Sequence, residues 1–344
     1  MGIKVKAISY TLLFYISIII TSCQNKMIEE KYDWSATLSA PEEYPIEVYK
    51  GEIIADDFRQ FLKGFGTIDK GWGENGPMVV IGPDHKKLPD SLTITWRSLI
   101  EQKNYSGKWA LPTNEIEQFF KTGFVNPDNN KKETYNSFVI GLAPKGNVIV
   151  WLSGAAKQLE VASFKAQETA INSSSLDEDD KYLFSQEYYD ITLRNIEKEK
   201  PEIFQKIKTN SLPKPEIYEK IRTKFLWKPE TLLADTADNL KELTITTFSG
   251  ELEVLFDKEL VVNNFEERRI PNEISFVTET NNKTKKLYWV KMLDVNELLN
   301  AFNAFETGAK IKFVIDLKSS SKPSFYLTDE KVKKSINHVS LEIK

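Results

Sequence analysis

The chain of 344 residues carries 46 Lys and Arg against 50 Asp and Glu, and 41% of it is hydrophobic. So mild an acidic excess offers no clustered cations to neutralise phosphates, which excludes nucleic acid as a partner. The single Cys excludes a disulfide framework, and the only two histidines, His85 in a Pro- and Gly-bracketed loop and His338 in a strand-like stretch, leave little for a His-based zinc site or a Ser-His-Asp triad.

Lys4 and Lys6 open the chain, an apolar run follows from Ala7 to Ile20, and the small residues Thr21 and Ser22 come next. That is the layout of a secretory signal, and the run falls short of the ~20 residues needed to cross a bilayer as a helix. Ile20-Thr21-Ser22-Cys23 resembles the lipobox of bacterial lipoproteins. The resemblance implies cleavage between Ser22 and Cys23, a diacylglycerol thioether on Cys23 and acylation of the new amino group. Several acyl chains anchor stably where one binds marginally, because each buried methylene contributes about 0.8 kcal/mol. Gln24 stands where enteric inner-membrane lipoproteins place Asp, which points to the outer membrane, and Glu29 and Glu30 resemble a surface-export signal of Bacteroidetes. Loss of Lys4 and Lys6 leaves 44 basic against 50 acidic side chains, a net charge of −6.

Residues 23–31 read as a tether. "YDWSATLS" (32–39) alternates as a strand does, and "IEVYKGEII" (46–54) reads as two short strands or one bent one. From Gly64 to Gly76 lie five glycines around Trp72, ahead of a buried-looking run from Met78 to Ile81. In "SLTITWRSLI", Leu92, Ile94 and Trp96 face one way and Thr93, Thr95 and Arg97 the other, a half-buried antiparallel strand. Its partner is "KNYSGKWALP". Asn114 with Glu117 forms a capping-box start for a helix carrying Ile116, Phe119 and Phe120. "YNSFVIGLA" and "NVIVWLSG" flank Pro144-Lys145-Gly146 as a hairpin, and "KQLEVASF" continues the meander.

Between about 177 and 225 the apolar spacing changes to three and four, which predicts helices. Pro201 opens the second at its tolerated first turn, and "EIYEKIRTKF" forms a third. Strands return with "ELTITTFSGELEVLF", a hairpin about Ser249-Gly250, then "EISFVTE" and "KKLYWVKML". A helix begins at Asp294 and Glu297 and closes near Gly308, and "KIKFVIDL" and "NHVSLEIK" follow. The class is α+β, dominated by antiparallel sheet in a sandwich-like meander, with a helical insertion and a C-terminal α+β extension. The expected organisation is a signal peptide (1–22), a tether (23–31), a β-rich domain (32–240) and a C-terminal portion (241–344), either a separate module or packed on the same core.

The blocks "YDWSATLSAPEEYPIEVYKG", "GWGENG", "LPDSLTITWRSLIEQKNYSGKWALP", "FVIGLAPKGNVIVWLSG" and "YEKIRTKFLW", spanning Tyr32 to about Trp227, resemble the bacterial lipoprotein family catalogued as domain of unknown function 2931. The resemblance implies a lipid-anchored protein of the Gram-negative envelope and no particular reaction. Some related envelope lipoproteins serve as immunity or accessory proteins beside secreted toxins, so an envelope protein or a secreted effector is the kind of partner implied.

Trp96 and Trp151 lie on strands and read as core. Trp72, framed by glycines, is either a lid over its own sheet or an exposed ring that stacks on a partner; with Trp34 and Tyr44 it makes the candidate binding surface. The adjacent acids Glu42-Glu43, Asp56-Asp57 and Glu266-Glu267 would point to opposite faces of a strand and make no glycosidase pair by themselves. "DEDD" (177–180) lacks the spacing of a calcium loop and reads as a solvated helix start. The glycine-rich stretch lacks the strand-to-helix phosphate motifs, and no GxSxG is present. Catalytic residues, metal ligands and cofactors are therefore not assigned. Asp235-Thr236-Ala237 resembles an acceptor for O-glycosylation in exported Bacteroidetes proteins, with Thr236 the candidate; the same pattern at Ser91 begins a strand. The expected function is a non-enzymatic, lipid-anchored outer-membrane protein, on its periplasmic face or at the cell surface, that binds a protein partner. The alternative is a glycan-binding or glycan-processing module, which clustering of Trp72, Tyr44 and Trp34 with an acid in one groove would favour.

Overall fold

The computed structural model describes residues 30–78, 82–172, 176, 178–234, 238–319 and 322–344. Cys23, Ser22 and Thr236 lie outside the described residues. Residues Tyr32–Lys344 form one unit. Its first strands are β1 (Ser35–Ser39), β2 (Ile46–Ala55), β3 (Phe58–Phe61), β4 (Ser91–Ser98) and β5 (Lys103–Ala110), followed by helix α1 (Thr113–Thr122). Next come β6 (Phe124–Asn126), β7 (Lys131–Glu133), β8 (Ser137–Ala143), β9 (Asn147–Ser153), β10 (Lys157–Lys165) and β11 (Gln167–Glu168). The helical insertion holds α2 (Glu178–Tyr182), α3 (Gln186–Glu199), α4 (Pro201–Lys208) and α5 (Ile217–Lys220). After it lie β12 (Lys224–Leu232), β13 (Asn239–Thr247), β14 (Leu252–Phe256), α6 (Lys258–Val262), β15 (Glu266–Arg269), β16 (Pro271–Glu279) and β17 (Lys285–Met292). The chain closes with α7 (Val295–Phe302), β18 (Ile311–Asp316), β19 (Ser324–Thr328), β20 (Lys333–Ile336) and β21 (Val339–Ile343).

One nine-stranded sheet, in the order β1-β8-β9-β10-β14-β13-β16-β17-β21, runs through the fold, with a five-stranded sheet β11-β5-β4-β2-β3 and another, β15-β12-β18-β19-β20, beside it. All but two of its partnerships and those of the smaller sheets are antiparallel; β1 runs parallel to β8 and β12 to β18. The fold is α+β with predominantly antiparallel sheet. Position 240, near which the sequence suggests a boundary, falls inside β13, and strands from both sides of it share the long sheet.

The long sheet serves two cores. Trp34, Leu38, Phe138 and Ile140 from β1, its approach and β8 meet Ile53, Leu92, Ile94 and Trp96 from β2 and β4. Further along, Leu243, Ile274, Phe276 and Val290 meet Trp227, Phe313, Ile315 and Phe302. The period of two decides which side chains enter: β4 buries Leu92, Ile94 and Trp96 and leaves the alternate residues half-exposed. β8 and β9 are buried along their whole length, and Lys145, at φ 59°, makes the tight turn between them.

Three local expectations are corrected. The capping box at Asn114 and Glu117 does not form, because the helix already begins at Thr113 with Pro112 before it, and Glu117 pairs with Lys121 one turn on. "EIYEKIRTKF" is helical only over Ile217–Lys220; from Lys224 it becomes β12, drawn out by ladders to β15 and β18 that outweigh local helix preference. Of the two readings of "IEVYKGEII", the structure takes the single bent strand, β2, with a bulge between Val48 and Lys50. Of the buried-looking run that begins at Met78, Met78 itself is exposed, and residues 79–81 lie outside the described residues.

Candidate functional site

The surface expected from Trp34, Tyr44 and Trp72 is not a surface. Trp34 is 1% exposed, edge-on to Phe58 and Phe138, and its indole N–H donates to the Lys87 carbonyl at 2.8 Å. Tyr44 is buried beside Tyr218 and donates its hydroxyl to the Pro213 carbonyl at 2.7 Å. Burial, reinforced by the nearby Glu101, Glu43 and Glu216, pushes that hydroxyl up to about 12. Trp72 wedges edge-on between Trp151 (5.0 Å) and Tyr218 (5.4 Å). Tyr44 and Trp72 thus share Tyr218, whereas Trp34 belongs to the other core.

The glycines explain the wedge. Gly73, at φ 85°, lies with its Cα so close to Gly250 that a side chain on either would overlap the other's backbone. Gln158 clamps the pair, donating from Nε2 to the Gly73 carbonyl at 2.7 Å and the Gly250 carbonyl at 2.5 Å. The same loop seals the outer edge of β1. Gly71 N–H donates to Ala40 and Gly76 N–H to Leu38, while the hydroxyls of Thr37 and Ser39 donate to Pro77 and Gly71.

Midway along the long sheet, β10 and β14 pair over only Lys157–Glu253 and Gln158–Leu252. There the strands splay around an ion network. Glu160 accepts from Arg222 at 2.6 Å and from Arg269 at 2.9 Å, with side chains of Glu160 and Arg269 only 8% and 7% exposed. Arg269 also pairs with Glu251, and Arg268 with Glu253 at 2.6 Å and Glu266 at 3.2 Å. Two clefts of about 270 and 320 Å³ adjoin this network and share Lys157, Glu253, Glu266 and Arg268. Glu160, Glu251, Glu253 and Glu266 are each held by an arginine, so the seam reads as a joint between the two halves of the sheet.

The far edge of the long sheet, β21, differs. Leu287 and Lys344 exchange both backbone hydrogen bonds at 2.9 Å, and Leu293 N–H donates to His338. Antiparallel alternation then turns the backbone groups of Ser340 and Glu342 toward β17 and those of Val339, Leu341 and Ile343 outward. Among the described residues, none pairs with those outward groups. Ile343 is 57% exposed and Trp289, across from Glu342, 37%. Behind this edge the space between the sheets opens as a cavity of about 270 Å³, walled by Leu233, Tyr288, Leu317, Pro323, Leu341 and Ile343, with Asp238 and Lys286 as its charged residues.

His85 is exposed in its loop, and His338 is exposed with Nδ1 3.0 Å from Glu297. Glu297 also accepts from the backbone of Asn337 and His338; those bonds, against the opposing effect of its burial, leave its carboxyl below the usual range. Among the described residues no group of three or more His, Cys, Asp or Glu is placed to hold a metal ion, and no helix is long and apolar enough to cross a membrane. Sequence reading missed the open edge and the cavity, whose walls come from residues as distant as Leu233 and Ile343 and carry no local motif.

The profile of a family described as "Protein of unknown function (DUF2931)" matches residues 21–213. The match begins within the lipobox-like stretch and stops before Tyr218–Trp227; the seam arginines and β21 lie beyond it. No curated protein and no solved structure matches the chain.

Proposed function

The chain belongs to this family of proteins of unknown function, DUF2931, and from that premise we propose that it is a lipid-anchored envelope protein whose body binds a protein partner by strand addition at β21. The observation that carries the reading is the open edge itself: a five-residue strand with outward backbone groups at Val339, Leu341 and Ile343, beside exposed Ile343 and Trp289. Natural sheets blunt such edges with lysines, proline, bulges or a covering loop, because an unpaired edge templates another chain. β20, the edge of the smaller sheet, carries Lys333 and Lys334 in this way; within β21 the one charged residue is Glu342. Main-chain hydrogen bonds from an added strand supply affinity, and pockets for alternate side chains supply specificity.

The anchor is proposed from Cys23 and the stretch before it, which supports an outer-membrane address. A role as a binding protein rather than an enzyme accords with the arginine-held carboxylates at the seam. The glycan reading loses its rings, since Trp34 and Tyr44 are buried and Trp72 is wedged between two aromatics.

Three measurements test these parts. Cys23→Ser is expected to move the protein out of the membrane fraction; retention there defeats the anchor. Val339→Pro removes one outward N–H at the first residue of a strand, where proline is tolerated. Capture from intact cells is expected to fall several-fold with this variant, and the amides of Leu341 and Ile343 to be protected from exchange in the wild-type complex. Equal capture with unprotected amides would place the partner elsewhere.

A further inference from the structure

The cavity behind β21 says more about the partner than the edge alone, and the inference drawn from it rests on the strand-addition reading. Asp238 lines this cavity with its side chain 6% exposed. Its Oδ1 is buried and accepts no hydrogen bond among the described residues. Its Oδ2 lies 3.9 Å from Lys286 Nζ, a loose contact to a side chain that is 46% exposed. Buried carboxylates ordinarily collect donors, because removal from water is costly unless hydrogen bonds replace it. Among the described residues at this end of the molecule, Asp238 is the exception.

The walls around it are apolar. Tyr288 and Ile343 face each other across the β17–β21 ladder, as do Val290 and Leu341, so Leu341 and Ile343 share the inner face with Tyr288. Leu233, Leu317 and Pro323 close the other side. At about 270 Å³ the space lies below the usual range for a drug-sized ligand and suits a single side chain. An aliphatic sleeve that leads to an under-bonded carboxylate matches one chemistry, a long methylene stem ending in a cationic donor.

We infer that this cavity receives a lysine or arginine side chain from an extended segment of the partner, and that the incoming cation replaces Lys286 as the companion of Asp238. A strand added outside β21 points every second side chain to the inner face, in line with Leu341 and Ile343, so one such residue enters the mouth while the backbone pairs with the edge. Lys286, already half in water, gives up little when displaced.

The test uses the purified full-length protein in detergent and the peptides acetyl-Thr-Val-X-Val-Thr-amide, with X as Lys, Arg, norleucine or Glu, titrated by calorimetry. Lys and Arg peptides are expected to bind at least tenfold tighter than norleucine, and Glu more weakly than any. Asp238→Asn, isosteric and uncharged, is expected to shrink the Lys advantage below twofold while leaving norleucine unchanged. Lys286→Ala is expected to tighten the Lys peptide at least twofold, and stands as the second variant should Asp238→Asn fail to fold. Equal affinity for Lys and norleucine, a Lys preference that survives Asp238→Asn, or weaker Lys binding in Lys286→Ala would each overturn the inference. Amide exchange separates it from the reading beneath it. Protection of Leu341 and Ile343 by the norleucine peptide without any Lys preference keeps the edge and removes the pocket. An Asp238-dependent response to acetyl-lysine methylamide, with no peptide protecting β21, keeps the pocket and removes the edge.

Discussion

At β1 the nine-stranded sheet ends under a loop, and at β21 it ends with its backbone groups facing outward. The two ends are built from the same element, a five-residue strand, so length does not separate them. β1 is buried from Ala36 to Ser39, and the outward carbonyls of Leu38 and of Ala40 just past the strand are taken by the N–H groups of Gly76 and Gly71. The corresponding groups of β21 find no such loop among the described residues. The family match, residues 21–213, contains the sealed end and its glycines, whereas the open end lies wholly beyond it. The contrast teaches that this sheet has the means to protect an edge and applies them at one end only, which is why the unprotected end reads as a binding surface.

The largest effect is expected at the seam that joins the two ends. With only two residue pairs between β10 and β14, continuity of the sheet depends on Glu160, which two arginines address from the C-terminal half. Glu160→Ala leaves Arg269 buried without that carboxylate, a loss of about 3–5 kcal/mol by analogy with other broken buried pairs. Urea unfolding should show it as a lower midpoint. A loss below 1 kcal/mol would mean that the halves are held by their cores and that the ion network is incidental.

A smaller pair of substitutions contrasts the ends directly. Gly73→Ala imposes a side chain on a left-handed backbone and against the Gly250 backbone, for about 2–4 kcal/mol of strain and overpacking. Val339→Pro at the open end is expected to cost under about 1 kcal/mol, because the lost N–H faces away from the ladder. Thermal unfolding of the two variants side by side checks the ordering. Equal costs would show that β21 is tied down in a way its backbone does not reveal.

Legibility in the sequence divides between local signals and distant partners. Alternation marked β4 because Leu92, Ile94 and Trp96 all enter one core, and Pro144-Lys145-Gly146 marked the β8–β9 turn because the bend needs a left-handed residue. Such signals are local, as is that of α7, where the Asp294 carboxylate accepts from the amides of Asn296 and Glu297. The fate of Trp34 was not local: whether a strand tryptophan is core or surface depends on Phe58 and Phe138 arriving opposite it. Likewise the glycines of 64–76 announced close approach without saying to what, and Gly250 lies 177 positions from Gly73 along the chain. An open edge is least legible of all, since it consists in a neighbour that does not come.

The smallest effect concerns the buried carboxylates that distinguish the two regions. Glu47, on β2 in the family-matched half, accepts from the Tyr188 hydroxyl at 2.8 Å and the Thr67 hydroxyl at 3.4 Å, and so ties α3 to the sheet. Asp238 in the other half has an oxygen with no donor among the described residues. Burial raises the Glu47 carboxyl above its ordinary value, and the hydrogen bonds from Tyr188 and Thr67 offset only part of that. A carboxyl raised in the folded state binds its proton more tightly there than in the unfolded chain. Its contribution is therefore fully present below the ordinary glutamate value and is lost as pH rises through the folded one. Glu47→Gln, which stays neutral and keeps an acceptor for Tyr188, should remove this falling component, so the variant gains stability relative to wild type as pH rises above the ordinary glutamate value. One proton limits the difference in slope to about 1.4 kcal/mol per pH unit. Urea unfolding of both proteins across that rise in pH isolates the residue, since the other carboxylates are common to both. Parallel curves would mean that Glu47 stays ionised in the fold, fully satisfied by its two hydroxyls, and the difference from Asp238 would then be sharper still.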